Sequence, residues 1–154
     1  MTQSKLVVPA LLALLSGGAS CTDPLGPERT ELAQARERWE AAALSDYRFD
    51  YRLSCFCGSP ANRDVTVEVR DGAVVAATFH DDGPAATVHD VEGLSTIDEL
   101  FDRIERTLEQ EPEQFTAEYD ATFGHPISVS ADIAFNISDE EFAFRVDDLA
   151  SLAP

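Results

Sequence analysis

The stretch Tyr47–Cys57 reads YRFDYRLSCFC, and its residues alternate between two kinds of side chain. Aromatic, aliphatic and thiol groups occupy the odd positions, whereas the even positions from Arg48 to Ser54 are charged or hydroxylated. Because successive side chains of a β-strand point to opposite faces, this period of two predicts a half-buried strand with one face in the core. We expect the rest of the fold to be built around this strand.

Two amphipathic helices are predicted, one before this strand and one in the middle of the chain. The first begins near Glu28, and Trp39 is its predicted core anchor. The second runs over Thr96–Glu109 and begins with Thr96 and Glu99 at the spacing of a capping box. The apolar residues at helical spacing are Leu32, Ala35, Trp39 and Ala42 in the first helix, and Ile97, Leu100, Phe101, Ile104 and Leu108 in the second.

A β-hairpin is predicted around Asp71-Gly72, because a type I′ turn needs positive φ at both central positions and Asp-Gly adopts it readily. Valines alternate with polar residues over Val65–Val69, and Ala73–Phe79 forms the returning strand. The cross-strand partners expected from a two-residue turn are Val69 with Val74 and Val67 with Ala76.

Three more strands follow the second helix, over Phe115–Tyr119, Ile127–Ile133 and Phe142–Val146. The order of elements is therefore α-β-β-β-α-β-β-β. The short connections between neighbouring strands favour an antiparallel sheet. The predicted fold class is α+β: a two-layer sandwich with a mostly antiparallel sheet of about six strands and two helices on one face. A Rossmann-type fold is not expected, because strands and helices do not alternate one by one and no glycine-rich phosphate loop follows a strand.

The first twenty residues resemble the signal peptide of a bacterial lipoprotein. One positive charge precedes an apolar run of about ten residues, which is too short to span a bilayer. Small residues then lead to Cys21, the expected site of lipidation, although cleavage after Ala19 by the ordinary signal peptidase is the alternative. We therefore expect a signal peptide over 1–20, a lipid-anchored tether over 21–27 and one α+β domain over 28–150. The expected location is the bacterial cell envelope, on the periplasmic or extracellular face of a membrane, with the lipid as anchor.

The chain is strongly acidic, with 29 Asp and Glu residues against 11 Lys and Arg and a formal charge of -18. Its only lysine, Lys5, lies in the predicted leader. Such a surface repels nucleic acid phosphates and anionic headgroups, so a nucleic acid partner is not expected.

Several ordered motifs resemble those of DUF6174, a family of small bacterial lipoproteins of unknown function. They are the run SDYRFDYRLSCFC ending at Cys57, the hairpin VTVEVRDGAVVAA, the helix STIDELFDRIE, the turn YDATFGHP and the acidic segment DEEFAFRVDDL. The resemblance covers roughly Trp39 to Leu149 and implies an exported domain built around a Cys-x-Cys strand. It implies no activity.

Cys55 and Cys57 form the most specific polar feature of the mature chain. Residues two apart in a strand point the same way, with Cα atoms close to the upper limit of about 6.8 Å for a disulfide, so a bridge needs a local bend. Because exported cysteines usually oxidise, a structural disulfide is the leading interpretation. A redox-active dithiol, a soft-metal site completed by a histidine, and free buried thiols are the alternatives.

The other candidate site residues lie in loops. Asp120, Gly124, His125 and Pro126 are predicted to form a structural turn, and a binding loop is the alternative interpretation. The remaining histidines, His80 and His89, show no paired spacing with His125, and no acidic cluster has EF-hand spacing. No metal and no cofactor are therefore expected. The acidic clusters, interpreted as solvated loops, are Asp81-Asp82, Asp139-Glu140-Glu141 and Asp147-Asp148.

No nucleophile elbow, His-Glu-x-x-His or Walker motif occurs in the sequence, so an enzyme is not indicated. The leading functional hypothesis is an exported, lipid-anchored envelope domain that binds a protein or peptide partner. An exposed sheet edge or the open face of the sheet would supply the binding surface. The alternative is a thiol site at Cys55 and Cys57, either redox-active or binding a soft metal.

Overall fold

The computed structural model describes residues 24–55, 62–80, 94–134 and 141–152. These residues form two helices and one six-stranded sheet in the predicted order, and every paired strand is antiparallel. The spatial order of the strands is β3-β2-β1-β6-β5-β4, so the predicted α+β fold is confirmed. The elements are α1 (Gly26–Ala42), β1 (Tyr47–Cys55), β2 (Val65–Arg70), β3 (Ala73–Phe79), α2 (Ile97–Glu109), β4 (Gln114–Tyr119), β5 (Pro126–Asp132) and β6 (Phe142–Ser151).

Local sequence sets both ends of α2. The backbone N–H of Glu99 donates to Thr96 Oγ1 at 3.2 Å and that of Thr96 donates to Glu99 Oε2 at 2.8 Å, so the predicted capping box is present. Pro112 follows the end of α2, as expected for a residue that cannot continue a helix. None of the helices within the described ranges is long and apolar enough to cross a membrane.

The core lies between the two helices and one face of the sheet. The odd-numbered residues of β1 from Tyr47 to Leu53 are buried together with Trp39 and the apolar stripe of α2. The Trp39 ring meets the Tyr47 ring edge-on at 5.2 Å between centroids, and its indole N–H donates to Asp98 Oδ1. The prediction that Trp39 is a core anchor is confirmed. Since only one parity of β1 is buried, both helices cover the same face.

The β2–β3 hairpin differs from the predicted register. Asp71 and Gly72 have φ values of 49° and 71°, as a type I′ turn requires, and Val69 pairs with Val74 as expected. The pairing of Val67 with Ala76 was wrong, because Val67 pairs with Ala77. One extra residue, Val75, forms a β-bulge that shifts the register, which buries Ala77 and leaves Val75 52% exposed.

Strand β6 is longer than predicted. The sequence predicted its regular part to Val146, but the strand continues to Ser151 beside the beginning of β1. The β1–β6 register shifts between Arg48 and Asp50, and Asp148 has a positive φ of 49°. This bulge interrupts the alternation of apolar and polar side chains. The residues after it therefore lack the period of two that identifies a strand in the sequence.

Candidate functional site

The two terminal strands of the sheet each carry a feature that disfavours addition of another strand. In the described part of the chain these strands are β3 and β4. The bulge at Val75 twists the edge of β3, and Glu118 places a charge on the short strand β4. Bulges and charges on edges are common devices against edge-to-edge pairing. Of the two binding surfaces that the sequence suggests, the face of the sheet is therefore the better candidate.

The face opposite the helices is polar, and we call it the open face. No described helix packs on it, and its side chains are exposed or half-buried, in contrast to the aromatic side chains on the other face. It combines charges of both signs with a group of hydroxyls. Its side chains are those of Arg48, Asp50, Arg52, Ser54, Thr66, Glu68, Arg70, Thr116, Glu118, Ser128, Ser130, Ala143, Arg145 and Asp147.

Two arginines lie directly opposite each other at the centre of the open face. Arg52 of β1 and Arg145 of β6 are register partners. Arg52 Nη1 donates to Asp64 Oδ2 at 2.9 Å, and Arg145 Nε donates to Asp147. Like charges directly opposite on neighbouring strands repel, and each of these carboxylates offsets part of that repulsion. We call Arg52 and Arg145 the arginine pair.

Small and hydroxylated side chains form a row across four strands beside the arginine pair. Ser54 pairs with Ala143, Ala143 with Ser130, and Ser130 with Thr116. The hydroxyls of Thr116 and Ser130 are hydrogen-bonded at 2.7 Å. Because these side chains are short, they leave a groove of about 350 Å³ that the arginine pair and Ser128 also line.

A hydroxyl, an imidazole and a carboxylate meet on the same face, nearer to β3. Thr66 Oγ1 lies 2.7 Å from Asp50 Oδ1 and 2.9 Å from His80 Nε2, and the same Nε2 lies 3.2 Å from Asp50 Oδ1. A hydrolytic triad requires the hydroxyl and the carboxylate on different nitrogens of the histidine. Here both contact Nε2, so the cluster does not have the geometry of a triad.

The predicted turn Asp120–Pro126 packs against α1. Asp120 Oδ1 accepts hydrogen bonds from the backbone N–H groups of Thr122 and Phe123, at 2.9 and 2.6 Å. Partial burial alone would raise the pKa of Asp120, but these hydrogen bonds outweigh it and hold the pKa below its usual value. Gly124 has a φ of +83°, and a Cβ built there would lie 2.2 Å from the carbonyl oxygen of Ala35.

His125 is only 7% exposed, although it belongs to a turn. Its Nδ1 is buried, lies 3.9 Å from Asp120 Oδ1 and has no hydrogen-bond partner among the described residues. Burial lowers the pKa of His125 more than the Asp120 carboxylate raises it, so the neutral imidazole is favoured at neutral pH. Gly124, His125 and Pro126 are all buried, and their described contacts are with other parts of the domain. A binding role for this turn stays a prediction.

Cys55 lies at the end of β1, half-buried on the helix side of the sheet. Its Sγ is 3.7 Å from Asn62 Oδ1. Cys57 and Cys21 lie outside the described residues, as do His89, Asp81-Asp82 and Asp139-Glu140. The proposed pairing of Cys55 with Cys57 and the lipidation of Cys21 therefore stay predictions. Within the described ranges no group of three or more His, Cys, Asp or Glu side chains could hold a metal ion.

The sequence did not predict the arginine pair. Alternation within each strand places Arg52 and Arg145 on the polar face, but it does not identify which strands are neighbours. β1 and β6 are adjacent through a non-local pairing that no hairpin connects. A signal for this contact would require knowledge of the strand order.

Comparisons with known proteins identify a family without an assigned activity. No curated protein and no solved structure matches the chain. The model of a family of unknown function, DUF6174, matches residues 31–151, which includes both helices and all six strands in whole or in large part. The chain therefore belongs to the DUF6174 family, as the motifs around Tyr47–Cys57 suggested.

Proposed function

We propose that this protein is an exported envelope domain, anchored by lipid on Cys21, that binds a protein or peptide partner on the open face of its sheet. The observation that carries the proposal is the open face itself. It is uncovered by any described helix and has a groove of about 350 Å³, whereas both sheet edges disfavour strand addition. The leader sequence, with its apolar run and the small residues before Cys21, supports export and anchoring.

The composition of the open face defines the kind of partner that fits it. Apart from Ala143, its side chains are charged or hydroxylated. The only large hydrophobic side chain that is exposed among the described residues is Val75 on β3. Interfaces with a polar composition of this kind belong to transient complexes, which bury less apolar surface than obligate ones. The partner should therefore present polar and charged groups and bind reversibly.

Site-specific photo-crosslinking in a bacterial host tests the binding surface. A photoreactive amino acid replaces Ser130 on the open face, and the matched control replaces Thr30 on the exposed side of α1. We expect a discrete adduct from position 130 and none from position 30. Equal labelling at both positions, or no adduct at position 130, would contradict a partner on the open face.

Cell fractionation tests the anchor separately. The full chain should be found with the membranes, and Cys21→Ala should move it to the soluble exported fraction because the acyl chains are lost. Membrane association that persists in Cys21→Ala would show that lipid on this residue is not the anchor.

A thiol site at Cys55 and Cys57 is the second proposal. Cys55 lines a groove of about 440 Å³ at one end of the sheet, together with Gln114 and Phe142. Cys55 therefore borders open space, from which a reactant could approach this end of the sheet. Intact mass after alkylation, with and without gentle reduction, tests it: easily freed thiols support a redox site, bound metal supports a ligand site, and a bridge that resists reduction leaves a structural disulfide.

A further inference from the structure

We infer that the groove on the open face binds an oxyanion, a carboxylate or a phosphate, between the guanidinium groups of Arg52 and Arg145. This inference rests on the proposed use of the open face and names the chemistry that the face recognises. It starts from the position of the arginine pair, which places two cations opposite each other on a molecule with a formal charge of -18.

The guanidinium groups use only part of their donor capacity within the described part of the chain. Arg52 donates through Nη1 to Asp64, and Arg145 donates through Nε to Asp147. No other hydrogen bond or ion pair of either side chain occurs with a described residue. An arginine has five N–H donors, so several donors of each side chain remain for a ligand. About half of each side chain is exposed, at 49% for Arg52 and 60% for Arg145.

Two arginines that are register partners and line one groove could share a single oxyanion. Planar guanidinium groups bind carboxylate and phosphate through paired hydrogen bonds, which are stronger than bonds between neutral groups. An anion between Arg52 and Arg145 would also remove the repulsion of two like charges directly opposite across strands. Asp64 and Asp147 contact the arginines where both arginines line a second, acidic cavity. The groove proposed for the anion lies on the side of the hydroxyl row, and no carboxylate lines it.

The hydroxyl row extends recognition beyond the charge. Ser54 and Ser128 line the groove, and neither side chain has a hydrogen-bond partner among the described residues. The Thr116 and Ser130 hydroxyls bond to each other, which leaves further acceptor capacity on their oxygens. A partner that presents its oxyanion on a polar, hydroxylated group would satisfy both the arginine pair and these serines.

The acidity of the whole molecule limits which anions can bind. Its net charge opposes the approach of polyanions such as nucleic acids. Screening confines this field to about 8 Å at physiological salt, so contacts inside the groove decide the binding of a small anion. We therefore expect a ligand with one oxyanion group, and not an extended polyanion.

Titration followed by NMR tests the inference. The isotope-labelled full chain, in detergent micelles, is titrated with inorganic phosphate in one series and with gluconate, a hydroxylated carboxylate, in another. We expect saturable shifts of the Ser54, Ser128 and Ser130 amides and of the Arg52 and Arg145 Nε–H signals. Tighter binding of gluconate would identify a carboxylate ligand, and tighter binding of phosphate a phosphorylated one. No saturable shift with either anion would overturn the inference.

Three variants make the test specific. Arg52→Gln and Arg145→Gln should each weaken binding about tenfold or more, because each removes charge-assisted hydrogen bonds. Arg48→Gln removes the same charge from the same strand and face but lies outside the groove, so it should bind as the unmodified chain does. Equal weakening by Arg48→Gln would show a general charge effect and overturn the site.

The two proposals can fail separately. Crosslinking at Ser130 without anion binding would overturn only this inference, and anion binding without an adduct would overturn only the protein partner.

Discussion

Gly72 and Gly124 both have positive φ, but their surroundings differ. Gly72 lies in the hairpin turn, and no atom comes within 4 Å of the position that a Cβ would occupy. At Gly124 the same position lies 2.2 Å from Ala35 O and 2.8 Å from Arg38 Cβ. The first glycine is required by the backbone conformation alone, and the second also by the close approach of the turn to α1.

Substitution of these glycines separates the two effects. Gly72→Ala should destabilise the fold by about 1–2 kcal/mol, the cost of a left-handed backbone conformation. Gly124→Ala adds overpacking against the backbone of α1 and should cost about 3 kcal/mol or more in total. Urea unfolding of both variants measures the difference. Equal free energies of unfolding would show that the turn can move away from α1.

The glycine conformations could be predicted from the sequence, whereas their contacts could not. Asp71-Gly72 and Gly124-His125-Pro126 are local turn signals, and both glycines have the positive φ that these signals indicate. The approach of Gly124 to Ala35 depends on how α1 lies across the sheet, which no local pattern specifies. The burial of His125 in this turn was not predicted for the same reason.

Strand β3 shows how one residue changes the face that a strand presents. Without the bulge at Val75, Ala76 would face the core opposite Val67. With the bulge, Ala77 takes this position and is 1% exposed, whereas Ala76 is exposed. The register of a strand decides which side chains are buried, because a shift of one residue exchanges the faces.

A pair of aspartate substitutions tests this register. Ala77→Asp places a carboxylate without a partner in the core and should lower the free energy of unfolding by about 3 kcal/mol or more. Ala76→Asp places the same group in solvent and should change it by about 0.5 kcal/mol or less. Thermal or urea denaturation distinguishes them. Greater destabilisation by Ala76→Asp would show that Ala76 faces the core, as in the regular hairpin predicted from the sequence.

Element type and order could be predicted from periodicity, and the deviations occur at bulges. The capping box at Thr96 and the alternation in Tyr47–Cys55 identified α2 and β1 because the signals are local and regular. The bulges at Val75 and near Asp148 insert a residue and break the period of two. Hydrophobic alternation contains no information on where an extra residue is accommodated, so the register of β3 and the end of β6 were missed.

The whole molecule buries all three of its tyrosines, Tyr47, Tyr51 and Tyr119, at least in part. Burial raises the pKa of each to about 12, although the Tyr47 hydroxyl also accepts a hydrogen bond from the Ile97 N–H, which lowers its pKa. The neutral phenols are therefore favoured in the folded state. Their contribution to stability is complete below the unfolded pKa of about 10 and is lost as the pH rises towards 12.

Spectrophotometric titration tests this coupling. We expect little tyrosinate absorbance in the folded protein at pH 10 to 11, and ionisation together with loss of the circular dichroism signal above that range. The chain in concentrated urea is the control, and its tyrosines should ionise near pH 10. Ionisation of a tyrosine near pH 10 in a chain that stays folded would contradict the burial described for that residue.

The fold class and the polar character of the open face could be predicted at this scale, but the groove could not. Four strands, β1, β4, β5 and β6, each supply one to three groove residues, and β1 is separated from the other three along the chain by β2, β3 and α2. The arginine pair and the hydroxyl row exist only because β6 lies between β1 and β5.

The start of α1 at Gly26 determines how far the domain could move from a lipid anchor on Cys21. Only four residues lie between Cys21 and Gly26, and the five residue steps from one to the other span about 17 Å when fully extended. A domain of this size is about 35 Å across, so the proposed anchor would be shorter than the body it holds. With such an anchor, the domain would be able to rock but would not be able to leave the bilayer surface. Its encounters would then be a two-dimensional search, governed by the number of partners per area of membrane and not by their concentration in solution.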